Sequence, residues 1–256
     1  MPRAAASRGK HARAARSDPT SAGKSTSKEV DNKPDPKPRD PTHSHLYTDD
    51  NPSTTIHGTG FKDAEAAHRT LDLISKRSLT YQFQTVNTMF HRAKHHPAMK
   101  PKKGGDGMER EGVKGMQQAM AIFREWLDET YPASKAAMRC GGGFKPLLSK
   151  KCMEKYLPRI QSSSEIGEEG KAFAEMYVSL GKGKRLGNVL VDDAKPTEPD
   201  WEAKRYAELD RLVPEGKEAV NAWQDDELWS GEGQVSSDHL AVIAWAWSPV
   251  QERKLP

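Results

Sequence analysis

The sequence is poor in the residues that build large cores. Leu, Ile, Val and Phe number 39 of 256, about 15%, where an ordinary packed domain has more than about 20%. Part of the chain is therefore expected to lie outside any core. Only two cysteines are present, Cys140 and Cys152. They allow at most one disulfide, which excludes a disulfide scaffold and suits a reducing compartment. Long apolar runs are missing as well. The longest, from Leu240 to Trp247, has eight residues against the roughly 18 to 20 of a bilayer-spanning helix, so no membrane partner is expected. No apolar stretch follows the basic N-terminus, which argues against a secretory signal peptide.

Cofactor motifs are absent too. Ala22-Gly23-Lys24-Ser25-Thr26 imitates the end of a phosphate-binding loop, but Asp18 stands where the first glycine belongs and no strand pattern precedes it. In Gly58-Thr59-Gly60 the third glycine of a dinucleotide fingerprint falls on Asp63. Cys140 and Cys152 form no C-x-x-C pair, so a zinc knuckle is not expected. No cofactor and no metal follow from the sequence.

What is present is a sorted distribution of charge. The formal net charge is +4, yet residues 1–45 carry ten Lys/Arg against five Asp/Glu, residues 46–160 carry 19 against 12, and residues 161–256 carry 11 against 19. These segments stand at +5, +7 and −8. Attraction to a polyanion in one part, with self-shielding or a basic partner in the other, would produce such sorting. Drift in solvated surface charge would produce it too.

Residues 1–55 read as a disordered basic tail and linker. Val30 is the one aliphatic residue larger than Ala before position 46, so little burial is available to offset the entropy of ordering. Arg3, Arg8, Lys10, Arg13 and Arg16 precede the first acid, Asp18. That composition suits a nuclear import or polyanion-binding arm. A mitochondrial transit peptide is the alternative, but only Ala is available for its apolar face. Lys33-Pro34-Asp35-Pro36-Lys37-Pro38-Arg39 favours extended polyproline geometry.

Residues 56–160 read as a basic helical module. Ala64, Ala67, Leu71 and Ile74 recur at helical spacing, with acids at the start and Lys76-Arg77 at the end. Leu79, Phe83, Val86, Phe90 and Ala93 mark a second helix, capped by Ser78 and stopped at Pro97. Val113, Met116, Met120, Phe123 and Leu127 mark a third, weakened at its start by Gly112 and Gly115 and ending at Pro132. Three such helices can enclose one small core. The polar face of the second carries Gln84, Asn87, His91, Lys94 and His95, with Arg92 beside it. Lys100, Lys102 and Lys103 follow in a loop, and Lys76 and Arg77 stand at the preceding corner. If these places are adjacent, they form a basic surface with amide and imidazole donors, suited to phosphates and less specifically to base edges. A solvated helix face with a lysine loop is the competing reading. His91 and His95 share a face at i and i+4, but Arg92-Ala93-Lys94 puts positive charge where a metalloprotease helix has its glutamate.

A helical segment capped by Ser149 follows a flexible triple glycine. Residues 161–256 then read as an acidic, tryptophan-rich helical part. Helices are expected over 165–180, from an Asp200 cap through Leu212, from Pro214 toward Trp229, and from the Ser236 region through Leu240–Trp247, the last run being short enough for a buried strand as the competing reading. Leu186–Val191 is open between strand and loop. Five of six tryptophans lie in this part. They either cement a core or, as Trp223, Trp229 and Trp245, anchor a protein partner. The acids Asp225, Asp226 and Glu227 could meet such a partner or fold back on the basic module.

The fold class expected is mostly α: a small three-helix module, a helical acidic C-terminal part and a disordered basic tail. The leading function is a non-enzymatic nucleic-acid-associated nuclear protein that binds the phosphate backbone of DNA or RNA. A protein-interaction adaptor is the alternative, with cytoplasmic or mitochondrial placement open. An enzyme built around His91 and His95 has the least support, because no convergent acid-base group is evident in the spacing.

Overall fold

A computed structural model describes residues 56–100, 111–139, 143–231 and 233–256. The basic tail, Lys102, Lys103, Cys140 and the first two residues of the triple glycine lie outside the described residues. Within them the secondary structure is helical, and pairing of extended backbone is confined to two isolated bridges, Leu190 with Asp200 and Trp229 with Val235.

The first three helices form where the apolar spacing places them. Helix α1 is Ala64–Ile74, capped by the Asp63 carboxylate, which accepts from the Ala66 N–H at 2.9 Å. It stops short of Lys76-Arg77, so those cations lie beyond its last turn. Helix α2 is Leu79–Lys94, capped by Ser78. Helix α3 is Glu111–Glu125 and accommodates both of its glycines. The chain does not stop at Pro132. A π-turn over Trp126–Thr130 leads directly into α4, Tyr131–Ala137, whose first turn contains Pro132. The ring has no N–H to give the preceding turn, and it falls directly after the wider π winding rather than inside a regular α-helical stretch.

The acidic half holds α5 (Lys150–Ser162), α6 (Glu168–Ser179), α7 (Trp201–Leu212), the single turn α8 (Asp225–Leu228) and α9 (Ser237–Ala244). Caps at Ser149, Asp200 and Ser236 open α5, α7 and α9 as their sequences indicate. The helix expected from Pro214 is broken instead. A turn in which Gly216 takes φ +86° is followed by a short 3-10 turn at Val220–Ala222, and only α8 is α-helical. Leu186–Val191 is a 3-10 turn and one bridge residue rather than a strand.

Two apolar clusters result. The first gathers Ile56, Ala67, Ile74, Val86, Phe90 and Phe123 where α1 and α2 pack on α3, and Trp126 closes one side. The second gathers Phe144, Met153, Ile160, Phe173, Leu209 and Ile243 from α5, α6, α7 and α9, with Trp201, Trp245 and Trp247. Helix α5 and Phe144 thus pack with the acidic half rather than with the three-helix module.

The clusters are fastened together at the start of α2. Asp200 Oδ2 accepts from Arg77 Nε at 3.0 Å and from both the N–H and the hydroxyl of Ser78 at 2.9 Å. Its Oδ1 accepts from Ala203 N–H at 2.9 Å, which caps α7. One carboxylate therefore joins the N-termini of two helices from the two halves. Arg77 completes its donors on the carbonyls of Pro196 (2.7 Å) and Gly187 (3.0 Å), and its guanidinium lies 3.8 Å from the centre of the Tyr81 ring. The two side chains are 1% and 0% exposed. Gly187 is required here, since a Cβ would stand 2.7 Å from Ser78 Oγ.

Two further polar groups are buried in the second cluster. Arg205 donates to the carbonyls of Trp245 (2.7 Å), Phe144 (3.0 Å) and Ala246 (3.3 Å), placing positive charge at the C-terminal end of α9. Burial pushes its pKa down to about 10, which leaves it charged at neutral pH. His239 lies between the Leu228 carbonyl, 3.1 Å from Nδ1, and Ser248 Oγ, 2.8 Å from Nε2. The carbonyl can only accept, so Nδ1 carries the proton and Nε2 accepts from the serine hydroxyl.

Because Arg77 and Asp200 lose solvation together, Arg77→Met or Asp200→Asn alone is expected to lower stability by about 3–5 kcal/mol, and the double variant to recover part of that loss. Chemical denaturation of the three variants measures this, and a double variant as unstable as the sum of the singles would refute the coupling. His239 gives a pH prediction. Burial holds its pKa below the ordinary value, so the unfolded chain binds a proton at a pH where the folded chain does not. Stability is full above about 6.5 and declines as pH falls below it toward the folded pKa. His239→Gln is expected to flatten the thermal midpoint between about pH 7 and pH 5, and an unchanged profile would assign the acid sensitivity elsewhere.

Candidate nucleic-acid interface

The two ends of α2 differ in kind. At its N-terminal end Arg77 is buried and bonded to Asp200, which removes it from the expected basic surface. Lys76 is exposed but pairs with Glu198 at 2.8 Å. Thr80 donates to Glu202 at 2.8 Å. The acidic half does fold back on the basic module, then, but through Glu198, Asp200 and Glu202. Glu227 instead pairs with Lys217 within its own half.

The C-terminal end of α2 lies about 24 Å away along a helix of 16 residues. His91, Lys94 and His95 are exposed there, and Lys100 follows the 3-10 turn at Pro97–Met99. The His91 and His95 rings stack in parallel, 6.2 Å between centroids and 8° between planes. Gln84 and Asn87, nearer the helix middle, are half-buried. The expected set thus divides: Arg92, Lys94, His91, His95 and Lys100 share one end, while Lys76 and Arg77 belong to the joint at the other.

A groove opens beside the C-terminal end. Its volume is about 580 Å³, and Phe61, Met89, Ala98, Val113 and Met116 line it with apolar surface. Lys62, Arg92 and His96 line it with polar groups. Three elements bring these residues together: the chain entering α1, the last turns of α2 with the turn after it, and the first turns of α3. Gly115 sets the spacing, because a Cβ there would stand 2.7 Å from the Lys62 carbonyl. That glycine, which sequence alone marks as a helix weakness, is what lets α3 approach the Lys62 backbone. His96 Nδ1 accepts from the Ala98 N–H at 3.2 Å, and its ring meets Phe61 edge-on at 6.1 Å. Among the described residues, Lys62, Arg92, Lys94 and Lys100 form no ion pair with a carboxylate. Lys62 is the residue that sequence reasoning missed. Its position next to the α1 cap gives no hint that α2 and α3 converge on it.

The tryptophans expected to anchor a partner are committed inward to different degrees. Trp245 is buried in the second cluster, its ring 5.0 Å from that of Phe173, which removes it as an exposed anchor. Trp223 and Trp229 are half-buried and pack on the same cluster. Trp223 donates to the Lys217 carbonyl at 2.6 Å, and Trp229 stands edge-on to His239.

No group of three His, Cys, Asp or Glu among the described residues is placed to hold a metal. The contact between His239 and Ser248 has the separation of a base and nucleophile, but a backbone carbonyl occupies the other ring nitrogen and the imidazole is wholly buried. It supports a turn. Cys152 is buried, and loss of solvation with the nearby Glu252 charge raises its thiol pKa, the opposite of activation. Family models, curated proteins and solved structures yield no match to this chain.

Gly115→Ala would raise intrinsic helix propensity, yet the contact with backbone predicts a net destabilisation of about 1–3 kcal/mol. Thermal denaturation checks the sign, and a higher melting temperature would show that α3 does not need this close approach.

Proposed function

We propose that the protein is a non-enzymatic, nucleic-acid-associated nuclear protein that holds phosphates at the C-terminal end of α2. The observation that carries this reading is that Lys62 and Arg92 line the groove while Lys94 and Lys100 are exposed at the same end of α2, none of the four paired with a carboxylate among the described residues. Paired surface charges have little to offer a polyanion, whereas unpaired ones release counterions when they meet phosphate. His91 and His95 add imidazole donors on the same exposed stretch. The acid-poor arginine-rich start of the chain supplies a second, sequence-independent attraction and a suitable import signal.

In this reading the acidic half has two roles at the joint. It neutralises the far end of α2 through Asp200 and Glu198, and it leaves the near end uncovered. Phosphate binding is thereby directed to one end of the module.

Removing one cation that holds a phosphate should reduce the slope of log affinity against log salt by roughly one. The double charge reversal Arg92→Glu with Lys94→Glu is expected to weaken binding to DNA and RNA together and to flatten the salt dependence, while Lys76→Glu leaves both nearly unchanged. Salt titrations on the full-length protein read this directly, and an unaltered slope in the double variant would reject the proposed face.

A further inference from the structure

Resting on that reading, we propose that the groove beside Arg92 receives an unpaired base, so that the protein prefers single-stranded to duplex nucleic acid. The site pairs two kinds of surface that a strand with free bases presents together. Lys62 and Arg92 suit its phosphates, and the wall formed by Phe61, Met89, Val113 and Met116 suits the faces of a base. The volume of about 580 Å³ falls within the range of about 300–1,000 Å³ that small ligand sites occupy. Proteins that hold single strands combine a cationic track for the backbone with apolar or aromatic platforms for bases. The half-buried Phe61 ring supplies the aromatic element, held edge-on against His96. The two methionines add polarizable sulfur and adaptable shape.

A duplex offers the same phosphates but keeps its bases stacked inside, so it meets the cations and leaves the groove empty. The charge of the rim argues against an uncharged apolar occupant. An acidic amphipathic helix would also satisfy cations around an apolar groove, but it would not discriminate between nucleic acids.

The test uses the full-length protein and fluorescence anisotropy at one fixed salt concentration. Three labelled probes of equal length are compared: an oligothymidylate, an abasic single strand, and a duplex. The oligothymidylate is expected to bind at least about fivefold more tightly than the abasic strand, the discrimination that about 1 kcal/mol per stacked base supplies. Phe61→Ala should bring the oligothymidylate close to the abasic value and leave the abasic strand unchanged. Val113→Gln, a substitution outside the buried core, should do the same if Phe61→Ala fails to fold. Equal binding of oligothymidylate and abasic strand would overturn the groove proposal and leave phosphate binding intact. Failure of all three probes to bind would overturn both, and capture of an acidic amphipathic peptide in their place would assign the groove to a protein partner.

Discussion

The buried contact between Arg77 and Asp200 is the constraint on which the arrangement of the two helical clusters depends. A carboxylate with no solvent exposure must have its charge compensated and its lone pairs filled. Asp200 meets both needs at once, with Arg77 and Ser78 on one oxygen and the Ala203 amide on the other. The groups that satisfy it come from α2 and α7, so neither helix start is complete without the other half of the chain. The two apolar clusters are separate in their side chains and joined in their polar ones. The halves are consequently expected to lose structure together, and a fragment ending near residue 160 would strand a guanidinium that the intact protein has buried.

The same contact explains how the charges are sorted. Segment totals of +7 and −8 suggest a broad attraction between the halves, but attraction at the start of α2 is local: one buried pair, one exposed pair and two hydroxyl–carboxylate bonds, with Arg139 meeting Glu218 and Asp210 at a second place. Much of the remaining acid is balanced inside its own half, as in Glu168 with Lys171, Glu208 with Arg211 and Glu227 with Lys217. The cations at the other end of α2 are outside this balancing. Among the described residues they pair with no carboxylate, and the acids at and near the start of α7 meet α2 at its N-terminal turn.

Local signals in the sequence were sufficient for much of the helical content. Ser78, Ser149, Asp200 and Ser236 each mark a helix start by a side-chain oxygen placed before an apolar repeat, and each acts as a cap; Asp63, legible only as an acid near a helix start, caps α1 as well. The apolar stripe of α2 points inward at Val86, Phe90 and Ala93 as its spacing requires. What spacing could not convey was long-range pairing. Arg77 and Asp200 are 123 positions apart, and Arg77 in isolation looks like any surface cation at a helix corner. Lys94 and His95, which lie on an exposed surface, were readable as such from the polar face of α2, whereas Lys62 entered the site only through the tertiary approach of α3. The run from Pro214 to Trp229 misled for a different reason: its apolar spacing suits a helix, but Gly216 adopts a left-handed conformation and the backbone turns.

The π-turn at Trp126–Thr130 has a consequence for how the chain tolerates change in length. Its wider winding accommodates one residue more than a regular α-helical turn, as the bond from the Tyr131 N–H to the Trp126 carbonyl records. Deleting a single residue in that turn would let α3 run into α4 with ordinary winding and keep the faces beyond it in register, whereas a deletion from the regular turns of α3 would rotate everything beyond it by about 100° around the axis. Tyr131, packed 4.5 Å from the Phe83 ring and 5.9 Å from Trp126, would stay on the first cluster in the former case and swing off it in the latter. A segment that looks like a minor irregularity thereby absorbs one residue of length without changing the direction in which the chain leaves one half for the other.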